Sequence, residues 1–174
     1  RLDAQQQAYE YLSLCDGSSS VEDELGFLRE ALQLDPGLIE ARQRYDANVQ
    51  ALLDPLLDTA TLHLEENRLG DSVRAFDEAM RLIEDHRSYM ADARAVQEGL
   101  DRVCLIILDR ALDQARGAAD RSDHKAVLAA YLPAAHLYLT LSSSNLRKER
   151  SSDYLEALDE IGNACFQTQQ LVEA

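Results

Sequence analysis

TATLHLEENRLGDSVRAFDEAMRLIE, residues 59–84, is the stretch whose reading decides the fold. It divides into two short amphipathic segments around a turn. Ala60 and His63 share one side of the first segment, which ends near Asn67-Arg68. Leu69-Gly70-Asp71 supplies turn chemistry, and Asp71 or Ser72 offers an oxygen that can cap the next helix. Val73, Phe76, Ala79, Met80 and Ile83 then recur at spacings of three and four, the apolar stripe of an α-helix. Small residues stand where two helices would cross closely, with an aromatic ring beside them.

Upstream, residues 2–16 read as a helix through Leu2, Ala8, Tyr11, Leu12 and Cys15, broken by Asp16-Gly17-Ser18-Ser19-Ser20. The serines can cap a second helix whose first turn holds Glu22, Asp23 and Glu24, where negative charge meets free N–H groups. Leu25, Leu28, Ala31 and Leu32 form its buried stripe, and Asp35-Pro36-Gly37 ends it. A third helix covers residues 38–53. Asp54-Pro55 reads as a restart, an aspartate cap with proline at the first helical position, so a fourth helix is predicted over 55–67.

Downstream, residues 87–119 are helix formers without proline, giving one long helix or two joined near Gly99. The wholly apolar Val103–Leu108 predicts contacts on more than one side. Asp120-Arg121-Ser122-Asp123 is a turn with a cap. The helix after it carries Val127, Leu128, Tyr131, Ala134, Leu137 and Leu141, with a kink or break expected near Ala130 because Pro133 lies inside. Residues 142–145 read as a loop, and a last helix is predicted from Ser151 or Ser152 past Phe166.

These patterns resemble the tetratricopeptide repeat, a helix-turn-helix unit that stacks into a solenoid. In residues 5–36, Ala8, Tyr11, Leu12, Cys15, Leu28, Ala31 and Pro36 fall on family positions, with Leu12 and Glu24 where the family has small residues. In 53–84 they are Leu56, Thr59, Ala60, His63, Phe76 and Ala79, with Ser72 at an alanine position. Ala111, Ala115, Ala118, Tyr131 and Ala134 align as a weaker copy. Leu158, Ile161, Gly162, Cys165 and Ala174 resemble the first half of a further unit, 155–174, in which Gly162 marks a close helix crossing. That half unit, and a start at Arg1, lead us to expect a piece of a larger protein. The intervals between Leu12, Ala60, Ala115 and Gly162 are 48, 55 and 47 residues, against a family period of about 34. The resemblance therefore implies one all-α domain over 1–174. It would hold eight or nine helices as a tetratricopeptide-like antiparallel helix-pair solenoid, a right-handed superhelix with a non-standard middle containing long helices.

Asp and Glu outnumber Lys and Arg by 32 to 17, a formal charge of −15, which disfavours nucleic acid and anionic membranes as partners. Arg147-Lys148-Glu149-Arg150, the most basic stretch, reads as a solvated linker or helix start. No apolar run is long enough for a membrane span. Cys15, Cys104 and Cys165 are far apart and form no metal-ligand spacing with the four histidines, which points to reduced core thiols in a cytoplasmic setting. His63 reads as a core or groove residue, His86 as a partly positive ring near a helix end, His124 as neutral surface and His136 as structural. No phosphate loop, dinucleotide fingerprint, zinc-protease motif or serine elbow is present, and no cofactor or metal is expected. Tyr131 and Tyr138, seven apart on one face, read as core packing with an interface role as the alternative.

The function expected is non-catalytic protein–protein interaction, capturing a peptide or helical segment of a partner and organising a complex. By the family's pattern, Tyr9, Ser13, Leu57, Thr61, Leu64 and Glu65 map to groove-facing positions. The family members that clamp a carboxyl terminus use lysine, arginine and asparagine in that groove, and this chain has acid, hydroxyl and aliphatic groups instead. A partner of basic or mixed charge is therefore expected. A homotypic assembly scaffold is the alternative. A deep apolar cleft holding two or more titratable groups would favour a third reading, a helical enzyme or small-molecule-binding domain.

Overall fold

The computed structural model describes residues 2–172. Ala174, and the side chains of Leu2 and Cys165, lie outside the described residues. Seven α-helices and no strand occur among those described: α1 Leu2–Leu14, α2 Val21–Leu34, α3 Ile39–Glu65, α4 Leu69–His86, α5 Ala93–Asp120, α6 His124–Thr140 and α7 Ser144–Val172. The count falls below eight because α3 and α5 are each continuous. The fold is an all-α helical bundle.

Two compact units divide the chain. One is Arg1–Leu57 with Glu78–Val96, and the other is Asp58–Asp77 with Gln97–Ala174. In the first, Ala8, Leu12 and Cys15 of α1 are buried, as are Leu25, Leu28, Ala31 and Leu32 of α2. Ala41, Tyr45, Val49 and Leu53 continue the core along α3 at every fourth residue. Ser20 starts α2 as read from the sequence: its side-chain oxygen accepts the Asp23 N–H at 3.0 Å. Glu24, half-buried where the family has a small residue, pairs with Arg44 of α3 at 2.8 Å, and Arg44 also reaches Asp16 at 2.8 Å. Past α4, the Asp46 carboxylate of α3 accepts the Ala91 N–H at 3.0 Å and anchors the 87–92 link.

In the second unit α5 buries Leu100, Cys104, Ile107, Leu108, Ala111, Leu112, Ala115 and Ala118. Within Val103–Leu108 the burial is one-sided, since Ile106 stays 58% exposed. Asp101 is buried beside these residues and accepts from the Ser142 hydroxyl at 2.7 Å and the Ser142 N–H at 3.4 Å. It ties α5 to the connection between α6 and α7. Tyr131 and Tyr138 of α6 both stack on Tyr154 of α7, at centroid distances of 5.6 and 4.6 Å. All three rings are half-buried, so they pack along the α6–α7 seam rather than in the fully buried core.

Several boundaries differ from the sequence reading. Asp54-Pro55 does not restart a helix, because α3 runs through Pro55. The proline withholds one N–H from the Ala51 carbonyl, and the apolar residues buried on both sides of it sustain the helix. The turn after α3 is at 66–68, three residues earlier than the expected 69–71, and Asn67 adopts φ 61°, the left-handed conformation that ends helices. The Arg68 N–H closes it on the His63 carbonyl at 2.8 Å. Ser72 is therefore no cap. It lies one turn inside α4, fully buried, and its hydroxyl donates to the Ala60 carbonyl at 2.7 Å. Helix α5 passes through Gly99 unbroken and is capped by Asp92, which accepts the Ala95 N–H at 3.0 Å. Pro133 does not break α6. Helix α7 begins at Ser144, so Arg147–Arg150 belong to its first turns. Gly162 is exposed, and a Cβ placed there would meet nothing within 4 Å, so no close helix crossing explains it.

The α5–α6 connection repeats the α3–α4 one. Ser122 has φ 55°, the Asp123 N–H returns to the Ala118 carbonyl at 3.0 Å, and Asp123 caps α6 by accepting the Ala126 N–H at 3.1 Å. Asn67 and Ser122 are 55 residues apart, the same interval that separates the buried Ala60 and Ala115.

Candidate functional site

The first compact unit carries an apolar cleft of about 600 Å³ between three helices. Helix α2 supplies Glu22, Leu25, Gly26 and Arg29, whose spacings of three, four and seven place them on one face. Helix α3 supplies Ala51, Leu52, Pro55 and Leu56, and α4 supplies Leu82 and His86. The walls are aliphatic, and the floor at Gly26 is open: a Cβ there would meet nothing within 4 Å. Pro55 gives no N–H to the Ala51 carbonyl, which leaves an acceptor without its usual helical donor on the cleft wall.

The polar end is built by aromatic neighbours. The Tyr45 hydroxyl and His86 Nδ1 are hydrogen-bonded at 2.6 Å, and the Tyr45 ring packs at 5.6 Å from both His86 and Tyr89. The Arg29 guanidinium sits over the Tyr89 ring, 5.5 Å from its centroid. Burial, and then the Arg29 charge, push the His86 pKa below its usual value. The ring is therefore neutral near pH 7, the reverse of the partly positive histidine expected from its place at a helix end. Arg29 moves the other way, its pKa raised chiefly by the Tyr45 hydroxyl.

A second depression, about 630 Å³ between α1 and α2, is lined by Gln7, Glu10, Tyr11, Leu14, Glu30, Gln33 and Leu34. Its amides and carboxylates remain hydrated, so it offers little gain from burying an apolar ligand.

The six residues expected at a groove sit on α1 and α3. Tyr9 and Ser13 lie exposed on one face of α1, the Ser13 hydroxyl donating to its own helix at the Glu10 carbonyl, 2.7 Å away. Leu57, Thr61, Leu64 and Glu65 follow one another along α3: Leu57 is half-buried, Thr61 and Glu65 are exposed, and Leu64 is buried. None of the six is among the ten residues that line the apolar cleft. Arg29, Gly26 and Leu82 carried no signal in the sequence, because each gains meaning only where three helices converge.

The remaining chemistry is quiet. Burial raises the pKa of the Cys15 thiol, and that of Cys104 to about 11, so both are protonated at neutral pH. Exposed His136 pairs with Asp77 at 2.6 Å, and half-buried His63 faces Arg68 at 2.7 Å. Among the described residues no group of three or more His, Cys, Asp or Glu side chains is arranged to hold a metal ion, and no helix is long and apolar enough to cross a membrane. No family model, curated protein or solved structure matches this chain.

Proposed function

We propose that this chain is a protein-interaction module of tetratricopeptide-like construction, and that it holds an apolar segment of a partner in the α2–α3–α4 cleft. The observation that carries the proposal is the cleft itself, about 600 Å³ with aliphatic walls from three helices. The two equivalent helix-turn-helix connections, 55 residues apart, support the helical-repeat part of the reading. A groove of this kind gains affinity by taking apolar side chains out of water, at about 25 cal/mol for each Å² buried. The test is to pan displayed amphipathic peptides on the folded chain and on a Leu52→Glu/Leu56→Glu variant. Enrichment by the wild type alone is the expected result, and equal enrichment by both refutes the site.

Self-association is the second reading, and exposed side chains of the other compact unit favour it. Leu128, Leu132 and Leu139 lie on one face of α6 at 47%, 64% and 70% exposure. Sedimentation of the wild type beside Leu132→Glu/Leu139→Glu decides it. A dimer that the substitution abolishes supports assembly through α6, and a monomer at all concentrations removes it.

A further inference from the structure

We propose that a second copy of this chain docks antiparallel across the outer face of the α6–α7 hairpin, in a register set by Lys148 of each copy meeting Asp159 of the other. The inference deepens the self-association reading of the α6 leucines and rests on it. Its first support is the shape of the face. Tyr131, Tyr138 and Tyr154 meet at the α6–α7 seam, and each is followed in sequence by an exposed leucine: Leu132 at 64%, Leu139 at 70% and Leu155 at 60%. One residue is a turn of about 100° around a helix. The two helices run in opposite directions, as the Arg147 guanidinium donating to the Leu139 carbonyl at 2.7 Å beside their connection shows. That turn therefore carries all three leucines to the same side of the hairpin, where Leu128 and Leu158 also stand exposed. The buried Ala130, Ala134 and Leu137 of α6 and Ala157 of α7 lie on the opposite side. The leucines leave on the order of 400 Å² of apolar surface in water, a patch of the size that marks an interaction site, and about half of the ~800 Å² that each partner of a stable pair contributes.

The second support is charge, which selects the occupant. Two chains of charge −15 repel one another, so copies meet most easily where carboxylates are scarce. Helix α6 has none in its 17 residues, although Asp and Glu number 32 in the chain. On α7, Arg150 pairs with Asp109 and Asp153, and Glu156 and Glu160 take Arg116, all on the flank toward α5. The outer face keeps two exposed charges of opposite sign, Lys148 and Asp159, and neither enters an ion pair among the described residues. They stand seven residues before and four after Leu155, which puts all three on one face. When α7 of one copy lies antiparallel on α7 of the other, with the twofold axis between residues 153 and 154, Lys148 and Asp159 are equally far from that axis, about 8 Å each. Each Lys148 then reaches the second copy's Asp159, and the symmetry makes the pair twice. The same axis brings Leu132 and Leu139 over the second copy's Tyr138 and Tyr131, because Tyr154 stacks between those two rings. A parallel arrangement would set lysine on lysine and acid on acid, so the charges choose direction more than they add affinity.

The test is sedimentation of the whole chain and its charge-reversed variants at low salt. The wild type is expected to dimerise. Lys148→Glu and Asp159→Lys should each weaken the dimer about tenfold, because each turns both attractive pairs into repulsive ones. Mixing the two variants should recover wild-type affinity as a heterodimer, since every introduced charge then faces its opposite. Both positions are exposed, so each variant should melt at the wild-type temperature. If either fails to fold, Lys148→Gln and Asp159→Asn take their place, each weakening the dimer by a smaller factor, with no recovery on mixing. A dimer that Leu132→Glu/Leu139→Glu abolishes but that ignores both charge reversals overturns this register and leaves assembly through α6 standing. Weakening by both reversals without recovery in the mixture overturns it equally. A wild type that is monomeric at all concentrations sinks the self-association reading and this inference with it. A monomer that enriches displayed amphipathic peptides, and loses them with Leu132→Glu/Leu139→Glu, makes a helix of another protein the occupant and overturns the proposal.

Discussion

Ser72 is a polar residue with no exposed surface, and its worth lies in one bond to the Ala60 carbonyl at 2.7 Å. Ser72→Ala keeps the volume nearly unchanged and deletes the bond, so chemical denaturation should show a loss of about 1 kcal/mol. An unchanged midpoint would mean the hydroxyl contributes nothing to packing α3 on α4. The small size of both residues was readable from their spacing, but the hydroxyl's target was not, because it depends on where α4 begins. His86 offers a pH test. Its ring faces Tyr45 of α3, Arg29 of α2 and Tyr89 of the link, with Asp85 beside it on α4. Its folded pKa lies below the reference of about 6.5, so the unfolded chain takes up a proton that the folded chain resists. Stability from this residue is complete above about pH 6.5 and is lost as pH falls from there toward the lower folded pKa. The gap in denaturation midpoint between wild type and His86→Gln should narrow or reverse across that window, and a gap constant from pH 7.5 to 5.5 would contradict the assignment.

At the scale of the element, starts were read well where the signal is a side-chain oxygen ahead of a fresh helix, as at Ser20 and Asp123. They were misread at Asp54-Pro55. Proline at a first helical position and proline in mid-helix look alike in sequence, since the difference is whether the preceding carbonyls already belong to a helix. The stops near Asn67 and within residues 120–123 were legible, but the left-handed backbone of Asn67 and Ser122 was not, because neither is glycine, although an asparagine tolerates it. The interior proline leads to a prediction. Pro55→Ala should restore the helical bond to the Ala51 carbonyl and stabilise the protein by about 2 kcal/mol, after allowing for the freer unfolded chain. A destabilised variant would show that the continuous α3 is not the native helix. The substitution also removes the ring from the cleft wall, so peptide affinity should fall as stability rises.

For the whole molecule, charge was legible at once and still governs behaviour. Acidic residues in excess repel one another more in the folded chain than in the extended one, so thermal melting should shift upward as sodium chloride is raised from low to moderate concentration. A falling melting temperature would mean that ion pairs such as Arg44–Glu24 and Arg150–Asp109 outweigh the general repulsion. Helical content was equally legible, because apolar residues repeat at three and four almost throughout. The cleft was not, since its ten lining residues come from three separate helices. The stacked Tyr131, Tyr154 and Tyr138 have a practical consequence. The chain contains no tryptophan, so nothing masks tyrosine emission or its near-ultraviolet dichroism. The α6–α7 seam thus has its own optical gauge, while Tyr45 and Tyr89 beside the cleft supply another. Replacing Tyr154 with leucine would silence the first, so the opening of one compact unit can be followed without attaching a dye.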